Sequence, residues 1–185
     1  PRYDLMNDLM SMGVHRLWKA AFVDLAGAAP GQFAIDLGGG TGDIAIALAQ
    51  RGAQVAVVDP SAEMMAIGRR RAGAQYVRWI AAEGERLPFA DNSVDLLTIA
   101  FGIRNVTRIE DALAEIARVL KPGGRFLCLE FSTPAAWLRP FYGLWSRTAI
   151  PALGALVSGR REAYHYLVES IRRFPNQREF AAMIR

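Results

Sequence analysis

Five short apolar runs mark the chain: "QFAIDL" (32–37), "AQVAVVD" (53–59), "AQYVRWIA" (74–81), "VDLLTIAF" (94–101) and "RFLCLEF" (125–131). Each has the length of a strand, and the segments between them repeat apolar positions at helical spacing. "TGDIAIALAQRG" reads as the first helix, with Gly52 as its stop. "SAEMMAIGRRRAG" reads as the second, capped by Ser61 and ended by Gly73. A third starts at "TRIE", where Thr107 and Glu110 have capping-box spacing. Leu113, Ala117 and Leu120 then share a face, and "KPGG" ends this helix before the fifth run. Strands alternating with helices predict an α/β fold, a mainly parallel sheet with helices on both faces, because parallel strands need crossover connections. Ligands of such sheets sit beyond the carboxyl ends of the strands.

The first exit carries "DLGGGTGD" (36–43). Gly38, Gly40 and Gly42 permit a sharp turn and bare the main chain to a ligand. A dinucleotide fingerprint would need glycine at 43, where the chain has Asp43, and a P-loop would need a lysine that is absent. A carboxylate at 43 also suits a pyrophosphate poorly, so the pattern fits a nucleoside without phosphates. At the second exit stands Asp59, able to accept from both hydroxyls of a ribose. Its alternative role, capping the next helix, is already offered by Ser61. The third run is followed by "AEGERLPF" (82–89), and the fourth ends in "IAFG" (99–102). Just past it, a permanent cation and an amide, Arg104 and Asn105, stand side by side.

Composition narrows the classes. A length of 185 residues fits one domain of about 100–200. Hydrophobic residues make up 52%, yet no apolar run approaches the roughly 18 residues of a membrane span. The first ten residues, "PRYDLMNDLM", carry acids where a signal peptide would be apolar. The single cysteine, Cys128, leaves no internal disulfide and suits a reducing compartment. Within "FLCLEF" it reads as a core residue rather than a nucleophile. With only His15 and His165 beside it, no metal centre is expected. The net charge of +4 is uneven: residues 132–185 hold eight arginines and three glutamates. Such a patch serves an anionic ligand, a nucleic acid, a membrane surface, or merely a solvated helix, and charge alone does not choose.

These residues resemble the class I S-adenosylmethionine-dependent methyltransferases, and more narrowly the UbiE-type C-methyltransferases of ubiquinone and menaquinone biosynthesis. The likeness is carried by "YDLMNDLMSMGVHRLWK" (3–19), "DLGGGTGD" (36–43), "LPFADNSVDLLTIAFGIRNV" (87–106), "RVLKPGGRFLCLEFS" (118–132) and "YHYLVESIRRFPNQ" (164–177). The first, third and fourth stretches are specific to the narrower family. The resemblance implies a Rossmann-like sheet of order 3-2-1-4-5, S-adenosyl-L-methionine as cofactor, a prenylated quinol as acceptor and no nucleic acid. It also implies cytoplasmic placement, with membrane association on the inner face left open, as is a homodimer.

By the same resemblance, the loop with Gly38, Gly40 and Thr41 would hold the methionyl part of the cofactor, with Asp36 counted alongside. Asp59 would take the ribose, Glu83 and Gly84 the adenine, and Ala100 would contribute from the fourth strand. The family more often has Asn or Asp at position 83 and Ser at position 100, so the longer Glu83 shifts the expected adenine contact toward the backbone. Residues 1–29 would form a helical lid, 30–131 the cofactor-binding core, and 132–185 a helical, aromatic- and Arg-rich segment facing substrate or membrane, all in one domain. Class I methyltransferases finish with an antiparallel strand pair, whereas this sequence stops at "EFAAMIR" in a helical pattern. Five strands of seven are therefore expected, with residues missing from the sequence as the favoured reason, because a bare sheet edge is a liability.

Methyl transfer is an in-line displacement, so alignment is the main task. A quinol ring carbon is a weak nucleophile until a ring hydroxyl loses its proton. Arg104 cannot be a base, its pKa lying above about 12, but it can favour the phenolate or polarise a water that Asn105 orients. Its structural alternative is an ion pair with Glu130 or with an acid of the N-terminal segment. Tyr3, one helical turn from Asn7, could bond the acceptor or Arg104, whereas His15 reads as a packed residue. Trp137, Phe141, Tyr142 and Trp145 form either a buried helix face or a path for a polyprenyl tail beside anionic lipid. Tyr166 and Ser170, a turn apart, are further acceptor-side candidates. Two other functions compete: a class I methyltransferase acting on another small molecule or a lipid headgroup, and a non-catalytic cofactor-binding subunit of a quinone-biosynthesis assembly.

Overall fold

The computed structural model describes residues 14–132, 169–171 and 173–184. It divides into two compact units, Lys19–Glu130 and the two chain ends, 1–18 with 131–185.

In the first unit, β1 (Phe33–Leu37), β2 (Gln54–Val58), β3 (Val77–Ile80), β4 (Val94–Ala100) and β5 (Leu120–Leu129) form one sheet of order β3-β2-β1-β4-β5. Every neighbouring pair is parallel, so the expected 3-2-1-4-5 order holds. Helices α2 (Asp43–Gln50), α3 (Ala62–Gly68) and α4 (Ile109–Val119) connect the strands. Ile35, Val55, Val57, Leu96, Leu97 and Ile99 are buried. Burial on both sheet faces is why these strands read as continuous apolar runs rather than alternating ones.

Helix α1 (Val14–Ala26) carries Phe22, Val23 and Ala26, which join the core cluster of Ile44, Leu48, Val55 and Val57. The first compact unit begins at Lys19, within α1. At the end of α1, Arg51 donates to Val23 O, which also accepts from Gly27 N, and Arg125 donates to Ala26 O.

Several local expectations change. Ser61 does cap α3, its Oγ accepting from Met64 N at 3.2 Å, but α3 stops at Gly68 rather than Gly73. Gly73, at φ +88°, instead opens a single 3-10 turn over Ala74–Tyr76, and β3 begins only after it. No capping box forms at Thr107. Arg108 is the N-cap of α4, and the carboxylate of Glu85 accepts from the N–H groups of both Thr107 and Arg108. "KPGG" lies inside β5 as an irregularity, the register jumping from Val94 opposite Leu120 to Leu96 opposite Arg125.

In the second unit, α5 (Gln177–Ile184) has a reciprocal cap. Asn176 Oδ1 accepts from Arg178 N and Glu179 N at 3.0 and 3.1 Å, and Glu179 Oε2 accepts from Asn176 N at 2.9 Å. The rings of Phe174 and Phe180 lie 5.0 Å apart. His15 is buried and Ser170 half-buried. Tyr3, Asn7, Trp137, Phe141, Tyr142, Trp145 and Tyr166 lie outside the described residues. Among the described residues no helix is long and apolar enough to cross a membrane.

Candidate active site

The strand exits converge as parallel order requires, because β1 is flanked by β2 and β4. At the β1 exit Gly38, Gly40 and Gly42 all take the left-handed region, with φ of +62°, +53° and +80°. A Cβ on Gly38 would face Gly102 Cα at 3.7 Å, so the turns after β1 and β4 approach backbone to backbone. Asp59, just past β2, reaches across to this loop. Its Oδ2 accepts from Gly40 N at 2.9 Å and its Oδ1 from Ser61 N at 2.7 Å. The cap of α3 is Ser61, and Asp59 instead ties the N–H of that cap residue to the glycine loop.

Asp36 sits behind the loop. Oδ2 accepts from Ala45 N at 3.1 Å, and Oδ1 accepts from Thr98 Oγ1 at 2.9 Å. Burial pushes its pKa up to about 7, against the lowering effect of those two bonds. Gly39, which the glycine spacing did not single out, rests on this carboxylate: a Cβ there would come within 2.7 Å of Asp36 Oδ2.

Asp43 carries more company than its sequence position revealed. Lys19 Nζ lies 2.7 Å from Oδ2, and Arg71 pairs with Oδ1 while also donating to Thr41 O and Oγ1. Burial raises the Asp43 pKa, but the two cations outweigh it and hold the group below the ordinary value. Its charge is therefore compensated, so the repulsion first assigned to Asp43 is not what excludes a pyrophosphate. The hydrogen bonds supply a better reason. Gly40 N–H is given to Asp59, Ala45 N–H to Asp36 and Gly42 N–H to Gly39 O. Amides that a phosphate loop would offer to an anion already serve protein oxygens. What remains is a close-packed glycine turn beside the Asp59 carboxylate, an acceptor suited to the hydroxyls of a nucleoside.

The loop after β3 holds Glu83, exposed, and Gly84, buried. Beyond β4, Ala100 is half-buried and Phe101 takes φ +57°, a left-handed conformation that is costly for a bulky residue. This turn delivers Arg104, whose Nη1 donates to Phe101 O and lies 2.8 Å from Glu130 Oε1. The two side chains are only 3% and 4% exposed. The ion pair weighed as an alternative for Arg104 is formed, while Asn105 beside it is exposed. Cys128, the penultimate residue of β5, is half-buried. Burial, aided by the nearby Glu130 charge, pushes its thiol up to about 12, so it offers no thiolate.

The sequence profile of the ubiE/COQ5 methyltransferase family matches residues 1–185. The chain belongs to the ubiE/COQ5 methyltransferase family. Among this family member's relatives is the ubiquinone/menaquinone biosynthesis C-methyltransferase UbiE of Rubrivivax gelatinosus, 66% identical over 183 residues, 99% of this chain and 72% of that protein. The protein of the same name from Paracoccus denitrificans is 52% identical over 191 positions, covering 100% of this chain and 76% of its own length. Among solved structures, the YcgJ protein of Bacillus subtilis superposes with TM-score 0.65 at 25% identity, covering 89% of this chain and 64% of that one. A methyltransferase-fold protein from Bacillus halodurans gives TM-score 0.66 at 20% identity over 90% of this chain and 66% of its own, a likeness of fold alone. The chain thus spans about two-thirds of these structures.

Proposed function

We propose that this family member transfers a methyl group from S-adenosylmethionine to a ring carbon of a prenylated benzoquinol or naphthoquinol. The observation that carries the acceptor class is the 66% identity, over 99% of the chain, to a protein named as a ubiquinone/menaquinone biosynthesis C-methyltransferase. The glycine turn tied to Asp59 supports the cofactor, because it offers oxygens and bare backbone rather than an anion cradle.

In this reading the loop of Gly38, Gly40 and Thr41 holds the amino-acid end of the cofactor, Asp59 the ribose, and Glu83 with Gly84 the adenine side. When bound, the cofactor would supply an electrophilic methyl group and leave as S-adenosylhomocysteine, the methylated ring carbon then giving up its own proton to solvent. The protein's own task is to orient the acceptor and ease the loss of a proton from its hydroxyl. Pairing with Glu130 modifies the part of Arg104. A neutral pair stabilises a phenolate less than a lone cation, so directed hydrogen bonding and the rigid turn become the larger contributions. Asn105, the exposed member, meets the acceptor or its water, with Arg104 fixing the turn from behind. Tyr3 is assigned to the acceptor, and the aromatics at 137–145 to its tail because aromatics beside arginines suit an interface with one apolar side. Liposome flotation checks the membrane part: equal binding to anionic and neutral vesicles would remove it.

Incubation of the purified chain with methyl-labelled S-adenosylmethionine and demethylated benzoquinol or naphthoquinol tests the whole reading. Label in one or both ring products is expected, and its absence from both rejects the assignment.

A further inference from the structure

The loop after β3 is bolted to α4 at both ends of that helix. At the C-terminal end, Glu115 Oε2 accepts from Leu87 N at 2.8 Å, and Arg118 donates to Leu87 O and Phe89 O at 3.0 and 2.9 Å. Arg118 also pairs with Asp91 and Glu115 at 2.7 Å each. At the N-terminal end a single carboxylate oxygen, Glu85 Oε1, accepts from Thr107 N at 3.0 Å and Arg108 N at 3.1 Å. An acceptor at a helix N-terminus satisfies donors that the helix leaves open, and a negative charge there is favoured by the helix dipole.

The two ends differ in what they join. The Arg118 end ties the loop to a helix face remote from the strand exits. The Glu85 end joins two functional segments, since Glu85 follows Glu83 and Gly84 directly, and Thr107 follows the turn of Ile103–Asn105 that carries Arg104 and Asn105. That turn has no side-chain cap of its own. Its near end is held through Arg104 to Phe101 O and Glu130, and its far end by Glu85. Moving Glu85 moves both segments.

We infer that Glu85 is a positioning residue that couples the cofactor's adenine loop to the acceptor-side turn of Arg104 and Asn105. The assignment of the two segments rests on the function proposed above, but the coupling itself is mechanical. Ordering of the loop by cofactor is transmitted through two hydrogen bonds to Thr107 and Arg108, and reciprocity requires that an ordered acceptor turn tightens cofactor binding.

Hydrogen exchange read by mass spectrometry, with S-adenosylhomocysteine as the probe, tests the coupling without any acceptor. In the unaltered chain, saturating probe slows exchange across 103–108, the acceptor-side turn. In Glu85→Ala this protection disappears at saturation, and probe affinity measured by calorimetry falls roughly tenfold, as a coupling of this kind allows. Glu85→Gln keeps a carbonyl oxygen able to accept from both amides and restores the protection. Protection that persists in Glu85→Ala at saturation overturns the inference, as does its absence from the unaltered chain. A variant that only melts earlier, with protection and affinity intact, marks Glu85 as a plain helix cap and also overturns it. Failure of quinol methylation by the unaltered chain would reject the proposed acceptor while leaving the exchange result decisive for Glu85.

Discussion

Asp36 and Thr98 face each other across β1 and β4 as directly paired residues, with Thr98 Oγ1 2.9 Å from Asp36 Oδ1. Both are buried, and Thr98 Oγ1 also lies 3.3 Å from Ile35 O. One hydroxyl hydrogen therefore has two acceptors on offer. The nearer acceptor, Asp36 Oδ1, takes it, and burial still raises the Asp36 pKa to about 7.

The sign of the pH dependence follows. In the unfolded chain Asp36 titrates near 3.8, in the folded one near 7, so between these values the folded state holds a proton that the unfolded state has released. This contribution to stability is complete below about pH 4 and is lost as pH rises through about 7. Asp36→Asn keeps an acceptor for Ala45 N and gains a donor for Thr98. Urea melts at about pH 5 and about pH 8 should show a smaller pH difference for the variant than for the unaltered chain. An equal difference would locate the titration elsewhere.

The features legible in the sequence are those that depend on position along one strand. The places of Gly38, Gly40 and Asp59 follow from where β1 and β2 end, and the parallel sheet from the alternation of strands with helices, while its 3-2-1-4-5 order came with the family resemblance. What escaped was tertiary. Glu85 reaches residues 22 and 23 positions away, and Arg71 reaches Asp43 across 28. Neither distance has a local period. Thr107 shows how a sound local rule loses: a carboxylate from another loop, Glu85, takes the Thr107 N–H that the Glu110 side chain of a capping box would have taken. "KPGG" was read as a break because glycine and proline punctuate chains, yet an edge position among the described strands tolerates them as a bulge within β5.

Gly39→Ala is expected to damage the cofactor loop although its neighbours keep their glycines. The added Cβ would meet Asp36 Oδ2 at 2.7 Å and Asp36 O at 3.0 Å, both on a buried strand end that cannot retreat. Overpacking of this kind costs about 1–3 kcal/mol. The expected readout is a drop in denaturant midpoint together with weaker S-adenosylhomocysteine binding. A variant with unchanged affinity would show that the loop can shift without consequence.

Asp59→Asn separates the two ties of that carboxylate. The amide oxygen can still accept from Gly40 N or Ser61 N, but the second site becomes a donor facing another donor. Stability should fall modestly, by about 1–3 kcal/mol for an unsatisfied buried group. Cofactor affinity should fall by more than tenfold, because the ribose would lose its charged acceptor. Calorimetry alongside melting measures both, and equal small effects on each would reduce Asp59 to a structural staple.

The Arg104–Glu130 pair predicts an outcome that a free catalytic cation would not. Arg104→Ala leaves a carboxylate that is 4% exposed without the Arg104 guanidinium, and breaking a buried pair costs about 3–5 kcal/mol. Loss of turnover in that variant alone is therefore ambiguous between unfolding and chemistry. The double change Arg104→Met with Glu130→Gln removes both charges at similar volume and should recover most of the lost stability. If Arg104 also serves the acceptor, the double variant folds and binds S-adenosylhomocysteine with near-normal affinity, yet labelled methyl transfer stays at least about a hundredfold down, as for removal of a directed charge-stabilising donor. Turnover returning with stability would confine Arg104 to holding the turn.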